Sequence, residues 1–114
     1  MGCMFYNCNN LLNLNLSSFN TQNVTDMNGM FYNCYNIRNL DLNNFNTENV
    51  INMSFMFYNC YNLIYLDISS FDTRNVDDIE GLFSNCFNLG LVFINLDSYE
   101  KLSLNLKNIN YIIK

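Results

Sequence analysis

The chain repeats itself at a fixed interval of 26 residues. Three complete units follow one another without an insertion, at residues 4–29, 30–55 and 56–81. The interval separates Phe5, Phe31, Phe57 and Phe83, and likewise Cys8, Cys34, Cys60 and Cys86. A period of about 20–50 residues is typical of repeat proteins, in which each unit packs against its neighbours. This repeat constrains the fold more strongly than any other feature of the sequence.

The hydrophobic period changes inside each repeat. Leu63, Leu66 and Ile68 end in the apolar/polar alternation of a short strand with one buried face. Val76, Ile79 and Leu82 then recur at the spacing of one helix stripe. Thr21, Thr47 and Thr73 precede that stripe, where a hydroxyl can cap a helix start. We therefore expect strands near 14–16, 40–42, 66–68 and 92–94, and short helical segments near 23–31, 49–57 and 75–83.

These patterns predict an α/β repeat solenoid. It would be a right-handed coil with a parallel β-sheet on one side and short helical or 3₁₀ segments on the other. The second repeat illustrates the expected core. Its buried residues should be Phe31, Cys34, Leu40, Leu42, Phe45, Val50 and Met53.

The domain organisation follows from the repeat. Residues 1–114 form a single domain that begins with a partial coil at 1–3 and continues, after the three repeats, with a degenerate fourth repeat at 82–96. Residues 97–114 lose the pattern and are expected to form a C-terminal cap, because an uncapped array exposes its last apolar side. Leu102, Leu104 and Leu106 should pack on the fourth repeat from a short strand. Met1 falls inside a repeat, which suggests a fragment of a longer protein; a true start is the alternative.

Two motifs carry a family resemblance. L-x-x-L-x-L at Leu11/Leu14/Leu16, Ile37/Leu40/Leu42 and Leu63/Leu66/Ile68 resembles a leucine-rich repeat. The longer motif F-[ND]-T-x-N-V-x-x-[MI]-x-x-[ML]-F-x-N-C-x-N-[LI], over residues 4 to about 89, closely resembles the BspA-like leucine-rich repeats of mycoplasma surface lipoproteins and other surface proteins. The resemblance implies a leucine-rich-repeat-like solenoid at the cell surface or outside the cell, with adhesion or protein binding as its role. It brings no catalytic residues, and this chain shows no signal peptide.

Charge and composition argue against several function classes. The net charge is −5, and the five basic residues are scattered, whereas nucleic acid or an anionic membrane surface needs clustered Lys and Arg. No apolar run approaches the length of a transmembrane helix, so no direct membrane insertion is expected. Without histidine there is no imidazole base, and a paired-carboxylate enzyme using Asp41 and Asp67 is disfavoured because a flat sheet lacks a pocket. We expect no enzyme activity.

Residues that recur at the same position of successive repeats form what we call columns. The cysteine, asparagine and aromatic columns each have a structural and a functional interpretation. The cysteines are expected to be reduced, buried and metal-free, with disulfides or a metal site as alternatives, and no cofactor is expected. The asparagine amides are expected to bond to turn backbone and to one another, and ligand binding is the alternative. The aromatic columns are expected to stack along the array, and a ligand platform is the alternative.

The outward face of the strands is the best candidate for a binding surface, because its residues vary between repeats while the core columns stay fixed. Unselected solvent positions would look the same, and the C-terminal segment could cover the last of them. The candidate partner-binding residues are Asn13, Asn15, Asn39, Asp41, Tyr65, Asp67, Leu91 and Phe93.

The sequence thus predicts a non-catalytic interaction module, a fragment of a larger surface protein that binds a protein or glycan through its sheet face. A structural spacer within a longer array is the alternative. An open first repeat also predicts end-to-end self-association.

Overall fold

Three short strands and one short helix are the regular elements of the chain. A computed structural model describes residues 1–114. Strand β1 is Tyr65–Asp67, β2 is Leu91–Ile94, helix α1 is Leu96–Leu102 and β3 is Tyr111–Ile113. The strands form an open parallel sheet in the order β1-β2-β3, and turns and loops make up most of the rest. No helix in the chain is both long and apolar enough to cross a membrane.

The expected α/β repeat solenoid is wrong. The segments 23–31, 49–57 and 75–83 contain turns and isolated bridges but no helix, and no strand forms at 14–16 or 40–42. Only the strands near 66–68 and 92–94 are present. A leucine-rich-repeat-like coil with a continuous sheet on one side and helices on the other does not describe a compact chain with three strands, one helix and mostly loops.

Backbone conformation explains why the helices are missing. Gly29, Phe55 and Gly81 occur once in each expected helical segment and have left-handed φ angles of 59°, 56° and 63°. An α-helix of L-residues cannot continue through such a position. The N–H groups nearby also bond outside their own segment: that of Met27 donates to the carbonyl of Asn52, not four residues back. An amphipathic period of three to four residues therefore arises here from successive turns.

The repeat does bring equivalent residues of consecutive units together. Phe5 N–H donates to the Met30 carbonyl at 2.9 Å, Phe31 to Met56 at 2.9 Å and Phe57 to Leu82 at 3.1 Å. The three threonines contribute to this lateral pairing and do not cap helices. Thr47 Oγ1 accepts from Asp72 N–H at 2.7 Å and donates to the Asp72 carbonyl at 3.0 Å, one repeat further on.

The predicted core of the second repeat is confirmed. All of the side chains expected to be buried there are buried, and the same cluster extends through the third repeat into the fourth. The equivalents one repeat on were also expected to be buried, and Ile79, the equivalent of Met53, is the exception because it is only half-buried. The cluster includes Phe57, Cys60, Leu66 and Val92. Each of these side chains lies in the column that the 26-residue spacing assigned to the interior.

The C-terminal segment differs from the expected short strand. Residues 102–106 are the end of α1 and the turns that follow it, and Leu104 is 86% exposed although Leu102 and Leu106 are buried. The Asn95 side chain caps α1 by accepting from Ser98 N–H at 2.8 Å. The chain then returns as β3, which pairs with β2 and places Ile112 beside Phe93.

Candidate interaction surface

The outward face of the sheet is the side of the strands opposite the core. Leu66, Val92 and Ile94 point inward and are buried, so the alternate residues point outward. Tyr65 is 46% exposed there and lies opposite Leu91 on the neighbouring strand. We call Tyr65, Asp67, Leu91, Phe93, Ile112 and Lys114 the outward face. It combines apolar and aromatic groups with one carboxylate and one ammonium group.

A shallow depression extends the outward face toward the second repeat. Its volume is about 210 Å³, and Asn39, Asp41, Tyr65 and Asp67 all line it. A neighbouring depression of about 160 Å³ is lined by Asn15 and Asp41. Five of the candidate residues thus border one continuous stretch of surface, and Leu91 and Phe93 adjoin it through the sheet. Asn13 is exposed but lines neither depression.

One column of the candidate residues also has a structural role. The Asn15, Asp41 and Asp67 side chains each accept a hydrogen bond from the backbone N–H two residues later, at 3.0 Å in all three. Such bonds close Asx turns, which end the extended segment and start the next turn. The only side-chain oxygen of Asn15 and both oxygens of Asp67 are therefore used within the chain, whereas Oδ2 of Asp41 accepts no hydrogen bond and can face a partner.

Lys114 and Asp67 form an ion pair on the outward face. The Nζ–Oδ2 distance is 2.5 Å, and the ammonium group also lies 4.5 Å from the centre of the Phe93 ring. Partial burial raises the pKa of Asp67, but the hydrogen bonds from Lys114 and Ser69 outweigh it and lower the pKa below its ordinary value. Asp67 is therefore ionised near neutral pH. The side chain of Lys114 also partly covers the Phe93 ring.

The thiols of the cysteine column form hydrogen bonds within the chain, which gives them a structural role. The thiols of Cys34, Cys60 and Cys86 donate to the carbonyl oxygens of Phe5, Phe31 and Phe57 at 3.0–3.1 Å. Burial raises the pKa of Cys34 and of Cys86 to about 12 and also raises that of Cys60. A buried thiol that keeps its proton is a weak nucleophile and a poor metal ligand.

The asparagine and aromatic columns are confirmed as internal ladders. The Nδ2 groups of Asn33, Asn59 and Asn85 each donate to the Oδ1 of the preceding repeat's asparagine at 2.7 Å. The rings at the Phe5 position stack with centroid distances of 5.5–5.9 Å from one repeat to the next. The tyrosine column beginning at Tyr6 stacks at 4.6–4.7 Å. These columns stabilise the chain, and their hydrogen-bonding and stacking groups are largely occupied.

Sequence reasoning missed two members of the outward face, Ile112 and Lys114. The signal was the apolar run Tyr111-Ile112-Ile113, which is long enough for a short strand. Its pairing with β2 could not be inferred, because residues 97–114 have lost the repeat that aligns the other segments.

Comparison with known proteins gives a family and no function. No curated protein and no solved structure matches the chain. A family model described as "Mycoplasma protein of unknown function, DUF285" matches residues 1–110, nearly the whole length. The chain therefore belongs to this family of mycoplasma proteins of unknown function.

Proposed function

We propose that the chain is a non-catalytic interaction module that binds a partner protein through its outward face. The observation that carries the proposal is the grouping of exposed apolar and aromatic side chains around the Lys114–Asp67 ion pair. Aromatic side chains are enriched where proteins bind one another, and polar groups surround them at the rim of the interface. A BspA-like surface protein, which the repeat motif resembles, would have the same kind of role.

The accessible groups support a protein partner over a glycan. Tyr65 and Ile112 are 46% and 47% exposed, and both lie on the outward face. The Phe93 ring, which is the most suitable platform for a sugar, has Lys114 over it. A partner that buries Tyr65 and Ile112 would gain apolar contact area, and its polar groups could meet Asp41 and Asp67 across the adjoining depression.

Binding to arrays of secreted and cell-surface proteins, with a glycan array in parallel, tests the proposal. Tyr65→Asp places a charge on the outward face, where β1 borders the depression, without removing a buried group. Ile51→Asp is the matched control, because Ile51 is similarly exposed but lies outside the sheet. We expect at least one protein whose affinity falls tenfold or more with Tyr65→Asp and is unchanged with Ile51→Asp.

Three outcomes would contradict the proposal. Binding that both variants retain would place the site elsewhere. Binding to glycans alone would make the module a lectin. The absence of any partner on either array would favour the alternative function, a structural spacer whose surface Asn and Asp side chains serve only their own turns.

A further inference from the structure

A cleft of about 490 Å³ lies between the fourth repeat and the C-terminal segment. Residues 83–87 and Leu89 form one wall, and Leu104, Asn105 and residues 107–109 form the other. The cleft shares no residue with the outward face or with the two depressions beside that face. A ligand bound in this cleft would therefore leave the outward face free.

The ring of Phe87 has one open face in the cleft. Phe87 ends a column in which the rings of Tyr35, Tyr61 and Phe87 stack with centroid distances of 4.8 and 5.4 Å. Tyr61 covers the inner face of the Phe87 ring, and no other ring stacks on the outer face. An open aromatic face within a concave site can bind the flat or apolar part of a ligand.

Leu104 adds apolar surface to the same cleft. Phe87 is 75% exposed and Leu104 is 86% exposed, which makes them the two most exposed large hydrophobic side chains of the chain. Single exposed apolar residues are common on protein surfaces, but a group of them indicates a binding site. Because both line one cleft, a single ligand can contact both side chains.

The polar groups of the cleft include hydrogen-bond donors that have no acceptor. The backbone N–H groups of Phe83 and Asn85 donate to no carbonyl oxygen. One repeat earlier, the equivalent groups of Phe57 and Asn59 donate at 3.1 and 3.0 Å. An unpaired N–H group near a buried residue such as Phe83 is costly, so a ligand that supplies acceptor oxygens would be stabilised here.

Lys107 gives the cleft a positive charge. Its ammonium group forms no ion pair, because the two ion pairs of the chain join Arg74 to Asp72 and Lys114 to Asp67. No Asp or Glu lines the cleft, although the chain has ten acidic residues and five basic ones. An unpaired cation beside free N–H donors favours a ligand with a negatively charged oxygen.

We propose that the cleft binds a carboxylate that carries an aromatic or aliphatic group. The carboxylate accepts hydrogen bonds from Lys107 Nζ and from the Asn85 N–H, and the apolar group lies between Phe87 and Leu104. One ammonium group balances the single charge of a carboxylate but not the higher charge of a phosphate monoester. A free organic acid and the C-terminal residue of a polypeptide share this chemistry. The inference does not depend on the proposed partner-binding face.

Titration of the full chain with phenylacetate, followed by NMR, tests the site. The backbone amide signals of Asn85 and Phe87 should shift until the site is saturated, and that of Tyr65 should not move. Neutral phenylacetamide, which lacks the charge, and acetate, which lacks the ring, should each bind about tenfold more weakly or worse. Equal affinity for either compound overturns the proposal, as does the absence of a saturable shift with phenylacetate.

Two variants with matched controls locate the bound acid. Lys107→Gln and Phe87→Ala change exposed side chains of the cleft and should each weaken phenylacetate binding about tenfold. Arg38→Gln and Leu12→Ala change an exposed cation and an exposed apolar side chain outside the cleft, so the affinity should stay unchanged. Circular dichroism melts verify that each variant folds. Affinity that survives in both cleft variants would contradict the assignment.

An acetylated peptide that ends in phenylalanine distinguishes the two sources of the carboxylate. If the cleft takes polypeptide C-termini, the peptide with a free carboxylate should bind at least as tightly as phenylacetate, and its C-terminal amide should not bind. If the cleft takes small organic acids, the same peptide should bind about tenfold more weakly than phenylacetate. Either result supports the carboxylate site and assigns its source, whereas equal binding of the free peptide and its amide overturns the proposal.

Discussion

The thiol of Cys60 donates a hydrogen bond to the carbonyl oxygen of Phe31, 29 residues earlier, at 3.1 Å. The same bond recurs in the neighbouring repeats, from Cys34 to Phe5 and from Cys86 to Phe57. Each thiol is thereby used to join its own repeat to the preceding one. A small buried donor at this position explains why the column is cysteine: it fills the interior and satisfies a carbonyl that already accepts from one backbone N–H.

Thiol labelling should separate Cys3 from the buried column. Cys3 is exposed, whereas Cys34, Cys60 and Cys86 are buried and protonated. We expect Cys3 to react quickly with iodoacetamide at neutral pH and the three buried thiols to react only when the chain unfolds. Cys8 was expected to be buried with its column but is only half-buried, so it should react at an intermediate rate. Mass spectrometry of the quenched reaction identifies the sites. Rapid labelling of Cys60 in the folded chain would show that the column is accessible.

The buried thiols should also make the chain less stable in alkali. Burial raises the pKa of Cys34 and Cys86 from the ordinary value of 9.0 to about 12. Between those values the unfolded chain releases thiol protons that the folded chain retains, so stability is fully present below pH 9 and falls as the pH rises to about 12. Urea melts across this range should show a shallower decline for Cys86→Ala than for wild type. Equal slopes would mean that Cys86 titrates normally when folded.

The phenylalanine column should carry much of the stability. Phe57 is completely buried between the rings of Phe31 and Phe83, whereas Phe87 is 75% exposed. Phe57→Ala should cost about 3–5 kcal/mol in the free energy of unfolding, the range for a buried aromatic. Phe87→Ala should cost under about 1 kcal/mol, as expected for a surface substitution. Comparable losses in urea melts of the two variants would contradict the burial difference.

Asn59 should stabilise the folded chain in two ways, through the hydrogen bonds of its side-chain amide and through its left-handed backbone conformation. It donates to Asn33 and accepts from Asn85 at 2.7 Å, and its φ is 60°. Asn59→Gly keeps the conformation and loses two hydrogen bonds, each worth about 0.5–1.5 kcal/mol. Asn59→Ala should lose about 1–2 kcal/mol more, because a Cβ is disfavoured at left-handed φ. If the alanine variant proves at least as stable as the glycine variant in denaturant melts, strain at Asn59 is unimportant.

The sequence predicted which side chains contact one another more accurately than it predicted the helices and strands. Columns such as those of Phe31, Cys34 and Asn33 were assigned correctly to core or ladder, because a fixed period places equivalent side chains together whatever the backbone does between them. The prediction of helices was wrong because the spacing of Val76, Ile79 and Leu82 is also compatible with successive turns. The left-handed φ of Phe55 could not be predicted either, since phenylalanine rarely adopts that conformation.

The outward face was predictable only in part. The alternation through Leu66 and Ile68 placed Tyr65 and Asp67 on its surface correctly. Asn13, Asn15, Asn39 and Asp41 were expected on strands that do not form, although all four are exposed. Lys114 joins the face through β3, whose partner strand is set by long-range packing and not by the repeat.

Amide hydrogen exchange tests the lateral pairing of the repeats most directly. The N–H groups of Phe57 and Phe83 occupy the same position of consecutive repeats, but only Phe57 has an acceptor, the carbonyl of Leu82 at 3.1 Å. At concentrations where the chain is monomeric, the Phe31 and Phe57 amides should exchange slowly and the Phe83 amide at least tenfold faster. Equal protection at all three positions, or rapid exchange at Phe57, would contradict the pairing of each repeat with the next.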